Sequence, residues 1–375
     1  MNVSEVLKYF FYFCIFITSL SCTKKPDDTA VEVAITPPVS SPKYLYVASG
    51  ACYSGGNTTF STTTASNLIF RINATTGIFD SKIADYNAVP ANAGDSPAGL
   101  VNNDSSSIHV LVENATAGRR IELVPKAGGN RITLTSNTTI LSAALRQIFK
   151  TSDGGFLVSK GTIMEKVNSQ GVRVGAPFIP TALAANCGAA NALMTSMITL
   201  NNGNIVFSNA VAANNRLSLI SAGGYSTAAN CLLTAPLNAP VATAFPTAMA
   251  YVAASNQLIV AYAGNATTAS LNSIYVYDVN ETSGVINNAT VIYDSNLYPS
   301  TYPYLLYGIS AMTFDSATNE LYVSTGISTA TTVVNYAIEK FTYNSTLKTL
   351  ARVGSVPFYN YGIDTKCISG MAIAD

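Results

Sequence analysis

Six cysteines, one histidine and 20 acidic side chains are the groups in this chain that could do covalent, metal or acid–base chemistry. Cys14 and Cys22 lie near the N-terminus, and Cys52, Cys187, Cys231 and Cys367 are spread over the rest. An even number of cysteines in an exported chain favours disulfides, and four of them allow three pairings. His109 stands alone inside a β-rich run, so a site built on several histidines is excluded by count. Asp80, Asp104, Asp278 and Asp315 fall near turns, where an aspartate caps backbone amides. No Gly-x-Ser-x-Gly elbow, phosphate loop or His-Glu-x-x-His is present. The residues therefore predict no catalytic set, no cofactor and no metal.

The N-terminal end carries an address. Lys8 precedes an apolar run over residues 9–18, too short to span a bilayer and placed where an export signal has its core. The run ends at Thr18-Ser19-Leu20-Ser21-Cys22. This resembles a bacterial lipoprotein signal, although Leu20 stands one place later than that pattern has it. The resemblance implies that residues 1–21 are removed and that Cys22 is acylated. Residues 22–42 are rich in proline and small residues and lack periodicity, which predicts a flexible tether. A lipid anchor followed by a tether implies a bacterial envelope protein held to the membrane, with the outer membrane favoured because Thr23 replaces a retention aspartate. Plain secretion is the alternative.

Residues 43–375 suit one large domain. Charged residues are 11% of the chain, well below the roughly 25% of average proteins, and 20 bases balance 20 acids. No basic patch suggests nucleic acid. The frequent Asn-x-Ser/Thr triplets follow from an Asn- and Thr-rich composition.

A repeat organises this part. Ala98-Gly99-Leu100, Ala143-Ala144-Leu145, Thr195-Ser196-Met197, Thr247-Ala248-Met249, Ser310-Ala311-Met312 and Ser369-Gly370-Met371 recur roughly 45 to 63 residues apart. Each leads through a turn to a β-rich run such as Leu258-Ile259-Val260 or Leu321-Tyr322-Val323. A third run follows, as in Ile163-Met164-Glu165-Lys166-Val167, and alternates apolar with polar as an outer strand should. Weaker fourth runs include 353–356. The last copy stops at Asp375, and its continuation stands at the other end as Tyr44-Leu45-Tyr46-Val47. The layout predicts an all-β, six-bladed β-propeller of four-stranded antiparallel blades, its ring closed by pairing the N- and C-terminal segments. Small residues at each motif suit inner strands crowded at the axis. An outer-membrane barrel is the competing fold, but these runs are short for it.

The layout resembles six-bladed propellers of exported bacterial proteins, including NHL-type and lactonase-like ones. It carries no family signature, so it implies fold and not activity. Lactonase-like propellers hold calcium on Asp, Glu and Asn of the inner strands. Here the polar inner-strand residues are mostly Ser and Thr, with Asn102, Arg146 and Gln147.

Tyrosine is over-used, with 21 Tyr and no Trp. On a propeller, Tyr53, Tyr293, Tyr298, Tyr302, Tyr304, Tyr307, Tyr359 and Tyr361 should gather on one rim. There they either plug blade ends or form an amphipathic docking surface. The same layout places Cys52 beside Cys367 at the ring closure and lets Cys187 and Cys231 reach one rim, which predicts those two disulfides. The leading expectation is a lipid-anchored, non-enzymatic binding or scaffold propeller that docks a protein or glycan. The rivals are a metal-dependent hydrolase or lactonase working in the central channel, and a structural envelope assembly protein.

Overall fold

Short runs of β-branched and aromatic residues, broken by Asn, Asp or Gly, suit antiparallel hairpins and leave little length for helices. The computed structural model describes residues 42–374 except 51, 54–59, 62–66, 88–93, 103, 115–117, 137–140, 142–144, 161–162, 179–182, 184, 188–193, 210–214, 223–230, 241–243, 264–271, 295–304, 329–332 and 361–367. Among the described residues the one helical turn is Ala253–Ser255, which closes a hairpin with Asn256 in the left-handed region.

The strands form six antiparallel blades. In blade 1 the C-terminal strand Ile368–Ala374 is innermost, followed outward by Tyr44–Ser49, Leu68–Asn73 and Phe79–Asp85. Blade 2 holds Ser96–Asn102, Ser107–Glu113, Arg120–Pro125 and Ile132–Thr135. Blade 3 holds Leu145–Lys150, Phe156–Lys160 and Ile163–Val167. Its fourth position is reduced to the single bridges Met164–Phe178 and Val167–Arg173. Blade 4 holds Met197–Thr199, Ile205–Asn209, Arg216–Ile220 and Leu237–Asn238. Blade 5 holds Phe245–Val252, Gln257–Ala263, Ser273–Asn280 and Val285–Asp294. Blade 6 holds Leu305–Asp315, Glu320–Ser328, Val333–Asn344 and Thr349–Arg352. The expected outer strand at 353–356 therefore lies earlier, and Val353 and Val356 are exposed.

Each inner strand adjoins that of the next blade, and blade 6 returns to blade 1. The predicted closure is present, with Tyr44 opposite Ala374 and Met371 opposite Val47. Lys43 adds an ion pair to the buried Asp315 of blade 6 at 2.7 Å. The Tyr322 hydroxyl of blade 6 donates to the Ala74 carbonyl of blade 1 at 2.8 Å.

One register is shared by all blades. An apolar inner-strand residue faces a fully buried valine of the second strand. The pairs are Met371–Val47, Leu100–Val110, Ile148–Val158, Ile198–Val206, Met249–Val260 and Met312–Val323. This corrects the repeat in blade 3, which aligns on Arg146-Gln147-Ile148 rather than Ala143-Ala144-Leu145. In blade 4 the valine faces Ile198, one residue past the motif Thr195-Ser196-Met197. Small residues precede Ile148 and match the motif by type, whereas the cross-strand valine defines the position.

The cores lie between blades. Ile259 and Val276 of blade 5 pack with Met312 and Phe341 of blade 6, and Leu45 and Ile72 of blade 1 pack with Ala311 and Ile338 of blade 6. Burying both faces of every sheet this way explains why several strands are apolar throughout.

The third strands carry a device that apolar–polar alternation misreads. Glu122, Glu165 and Glu339 are buried, not solvated. Each meets an arginine from the outer edge of its own blade. Arg131 lies 3.7 Å from Glu122, the Arg173 guanidinium sits within 2.7 Å of Glu165, and Arg352 makes a forked contact of 2.7 and 3.0 Å to Glu339. Breaking a buried pair leaves one charge without compensation. Arg352→Met is expected to lower unfolding free energy by about 3–5 kcal/mol, while Arg352→Met with Glu339→Leu recovers most of that loss. Urea unfolding of the single and double variants checks it. An unchanged midpoint for the single variant would contradict the assigned role.

Candidate functional site

Six strands that converge on an axis leave little room for side chains, and the backbone distances show how little. A Cβ added at Gly370 would sit 2.8 Å from the Leu100 nitrogen of blade 2. One added at Gly99 would meet the Gln147 Oε1 of blade 3 at 2.9 Å. Small residues at the axis are thus a steric requirement, as the sequence indicated.

Their hydroxyls do something the sequence did not disclose. Ser369 of blade 1 donates to the Pro97 carbonyl of blade 2 at 2.7 Å. Thr195 of blade 4 donates to the Pro246 carbonyl of blade 5 at 2.5 Å. Ser310 of blade 6 donates to the Ile368 carbonyl of blade 1 at 2.7 Å. These bonds latch one inner strand to the next.

Below the latches the inner strands enclose a cavity of about 390 Å³, lined by residues from all six blades. Met249, Met312 and Met371 project among Leu100, Ile148 and Ala372. At the end where inner strands turn into second strands, Phe149, Ile198, Tyr251, Phe314 and Ile373 make an apolar collar. Each is the last residue but one of its inner strand. Tyr251 is held in place, because its hydroxyl donates to Glu281 at 2.6 Å and Glu281 also accepts the Asn201 amide at 2.8 Å. Burial and this carboxylate raise the Tyr251 phenol well above its ordinary range, so the ring stays neutral.

The lining contains no Asp, Glu, His, Cys, Lys or Arg. Its oxygen donors are the amides of Asn102 and Gln147 and the hydroxyls of Ser196, Thr247, Ser310, Thr313 and Tyr251. No group of three or more acidic, histidine or cysteine side chains able to hold a metal occurs among the described residues. Calcium prefers carboxylate oxygens, so this donor set does not fit a lactonase-like calcium centre. The side chain of Arg146 lies outside the described residues.

The isolated His109 is structural. It is buried with its ring 4.3 Å from Phe156 of the next blade, and burial lowers its pKa to about 4. Among the turn aspartates, Asp104 accepts the Ser106 and Ser107 amides at 2.7 Å, which helps bring its pKa to about 2 despite the opposing effect of burial. Asp80 and Asp278 instead pair with Arg71 and Lys348, each at 2.6 Å.

The tyrosines separate by role. Tyr293 is core and not on a rim as expected, its ring tilted against Phe341 at 6.4 Å. Tyr359 is half-buried with its ring 5.7 Å from Phe70 of blade 1, so it fills a seam between blades. The backbones of Tyr53 and Tyr307 fall on one face, where second strands end and inner strands begin, whereas Tyr359 pairs with Ile338 midway along the third strand of blade 6 and is not on that rim as expected. Tyr298, Tyr302, Tyr304 and Tyr361 lie outside the described residues.

Cys187 and Cys231 are disulfide-bonded, with Cα atoms 5.8 Å apart. Cys187 is fully buried and Cys231 pairs with Ile220, the last residue of the third strand of blade 4, so the link packs against the end of that sheet. Cys22 and Cys367 lie outside the described residues. Cys367 precedes Ile368, which pairs with Ser49, and the short strand Cys52–Tyr53 runs beside Ile368–Ala374.

No protein-family model and no curated protein matches this chain. Solved structures do resemble it. A protein of unknown function from Bacteroides caccae superposes with a TM-score of 0.53 and 13% identity, over 89% of this chain and 99% of that one. A chain of a nidogen/laminin complex gives 0.53 and 12%, over 88% and 98%. A gluconolactonase from Xanthomonas campestris gives 0.47 and 11%, over 83% and 87%. At such identities the likeness shows a propeller fold alone, and the third is too loose to bear on activity.

Gly370→Ala should cost about 1–3 kcal/mol by forcing two inner strands apart, measured as a lowered urea midpoint. Non-reducing peptide mapping should return Cys187 with Cys231 and Cys52 with Cys367. A Cys52–Cys187 peptide would break the assignment. Reducing the first bond opens a separation of 44 residues, a loss of about 4 kcal/mol in the chain-entropy model.

Proposed function

We propose that this protein is a non-enzymatic binding propeller of the bacterial envelope. Cys22 carries the lipid, residues 23–42 hold the domain off the membrane, and the propeller binds its ligand without transforming it. The outer membrane is the favoured site. The observation that carries the binding reading is the neutral central cavity. A channel hydrolase needs an activated nucleophile or a metal-holding carboxylate beside its substrate, and the described lining offers hydroxyls but no histidine, carboxylate or lysine to activate one or to hold a metal. The cavity instead combines apolar walls with a few fixed polar groups, which is the make-up of a binding pocket. The face that carries Tyr53 and Tyr307 is open to a second role, docking a protein or glycan partner.

Two measurements on the full chain test this. Calorimetric titration with calcium should show no tight binding, and a panel of lactones and esters should show no turnover above buffer with or without calcium. Calcium-dependent turnover would replace the binding reading with the hydrolase one. Expressed with its own leader in a bacterial host, the wild type should fractionate with membranes and carry an acylated Cys22 by intact mass. Cys22→Ser should be released or left unprocessed, since two or more acyl chains are what hold such a protein firmly. Identical fractionation of the two would rule out the anchor.

A further inference from the structure

We infer that the tethered propeller comes to rest on the lipid bilayer through the face at which the chain enters it. Leu347, Ile78, Phe79, Ile132 and Val172 then insert among the lipids, and the face of Tyr53 and Tyr307 is turned away. This rests on the lipid-anchor reading above and adds which side of the domain meets the membrane.

The strand register places these residues together. Tyr44 begins the second strand of blade 1, opposite Ala374 at the end of the inner strand and Asn73 at the end of the third. Lys43 therefore enters the propeller on the face where third strands turn into fourth strands. Its carbonyl accepts the Ala74 amide at 2.9 Å, inside that turn of blade 1. Ile78 and Phe79 follow directly. At the corresponding turns Leu347 stands in blade 6, Ile132 in blade 2 and Val172 in blade 3.

Turns of this kind are ordinarily polar. Blade 5 keeps to that rule, with Glu281-Thr282-Ser283-Gly284 between its third and fourth strands. The fold itself thus does not call for apolar residues there, yet the five named side chains are 47–70% exposed. Asn73, Asn168 and Asn344 accept turn amides at 2.9–3.0 Å, so the apolar groups stand on fixed backbone.

Spacing, tether and charge identify the occupant. The five residues are spread over four consecutive blades and do not pool in one patch. A small partner would touch one or two of them, whereas a plane touches all. The half-buried collar around the axis lies on the same face and carries the apolar surface inward. Residues 23–42 reach at most about 70 Å, so an acylated Cys22 keeps the bilayer within range of this face. Lys43 and Lys348, beside these turns, are held in ion pairs with Asp315 and Asp278 at 2.7 and 2.6 Å. Apolar insertion therefore drives the contact, and zwitterionic lipid suffices.

The chain has no tryptophan, so a single introduced one reports alone. Leu347→Trp, Phe79→Trp and the control Asn87→Trp are made in the full chain and expressed with its own leader. The acylated products are placed in phosphatidylcholine vesicles with and without brominated acyl chains. Asn87 is exposed beyond the far end of the strand that Phe79 begins, roughly 25 Å away. Brominated lipid should quench the Leu347→Trp and Phe79→Trp reporters severalfold more than Asn87→Trp, with no change in 1 M salt. Ile78→Ser, Phe79→Ser and Leu347→Ser together, read through Ile132→Trp, should lower the ratio of docked to free domain about tenfold. Urea midpoints confirm that each variant is folded; Val172→Trp replaces any reporter that is not, and Ile78→Ser with Leu347→Ser replaces the triple change. Equal quenching of all three reporters on an acylated chain overturns this inference and leaves the anchor intact. Stronger quenching of Asn87→Trp overturns the face. Release by 1 M salt overturns apolar insertion, and docking that survives the serine changes overturns the residues assigned. A mature chain without an acyl group on Cys22 overturns the anchor reading, and this inference with it.

Discussion

Close approach of six inner strands at one axis is the constraint on which the rest of this molecule depends. A Cβ at Gly370 would begin 2.8 Å from the Leu100 backbone and one at Gly99 would begin 2.9 Å from the Gln147 side-chain oxygen, so glycine stands at both places. Serine and threonine fit nearby and use their hydroxyls to bind the neighbouring strand. The ring is therefore held at its centre by short polar bonds and not by packing alone. Such bonds work there because the site is buried and water does not compete for the carbonyls.

Away from the axis, packing takes over. The repeated valine of the second strand fills the sheet opposite the apolar inner residue, and the cores form where two blades face each other. Farther out the blades diverge, and buried glutamates are neutralised by arginines from the outer edge. Each radius thus has its own interaction: hydroxyl latch, apolar seam, ion pair. The closing blade shows all the demands at once, since its inner strand comes from one terminus and its second strand from the other.

The functional character follows from the same crowding. Among the described residues, short and neutral side chains at the axis leave a cavity without carboxylate, histidine, lysine or arginine, bounded by methionines and an aromatic collar. A channel built this way has few means to transform a bound molecule and several to hold one. The amide groups of Asn102 and Gln147 are the polar exceptions, and both are oriented by bonds to the split blade.

The order of the repeats, their number and the split across the two termini were legible in the sequence. Hairpin periodicity and small-residue motifs are local, and a motif cut by the chain ends must be joined in space. The pairing of Cys187 with Cys231 followed from that layout, but the full burial of Cys187 did not. How deep a loop cysteine sits depends on how the loop packs. The exact repeat position in blade 3 was also hidden, because it is defined by the valine across the strand and not by residue type along it. Glu122, Glu165 and Glu339 look solvated in a strand that alternates apolar with polar, yet their arginine partners bury them. The collar of Phe149, Tyr251 and Phe314 could not be read at all. Those residues lie far apart in the chain and come together only when three blades set their inner strands around one axis. Sequence by itself determined what each strand was and which strand followed it. Tertiary structure alone decided which side chains share a cavity, because that depends on the angle at which separate blades meet.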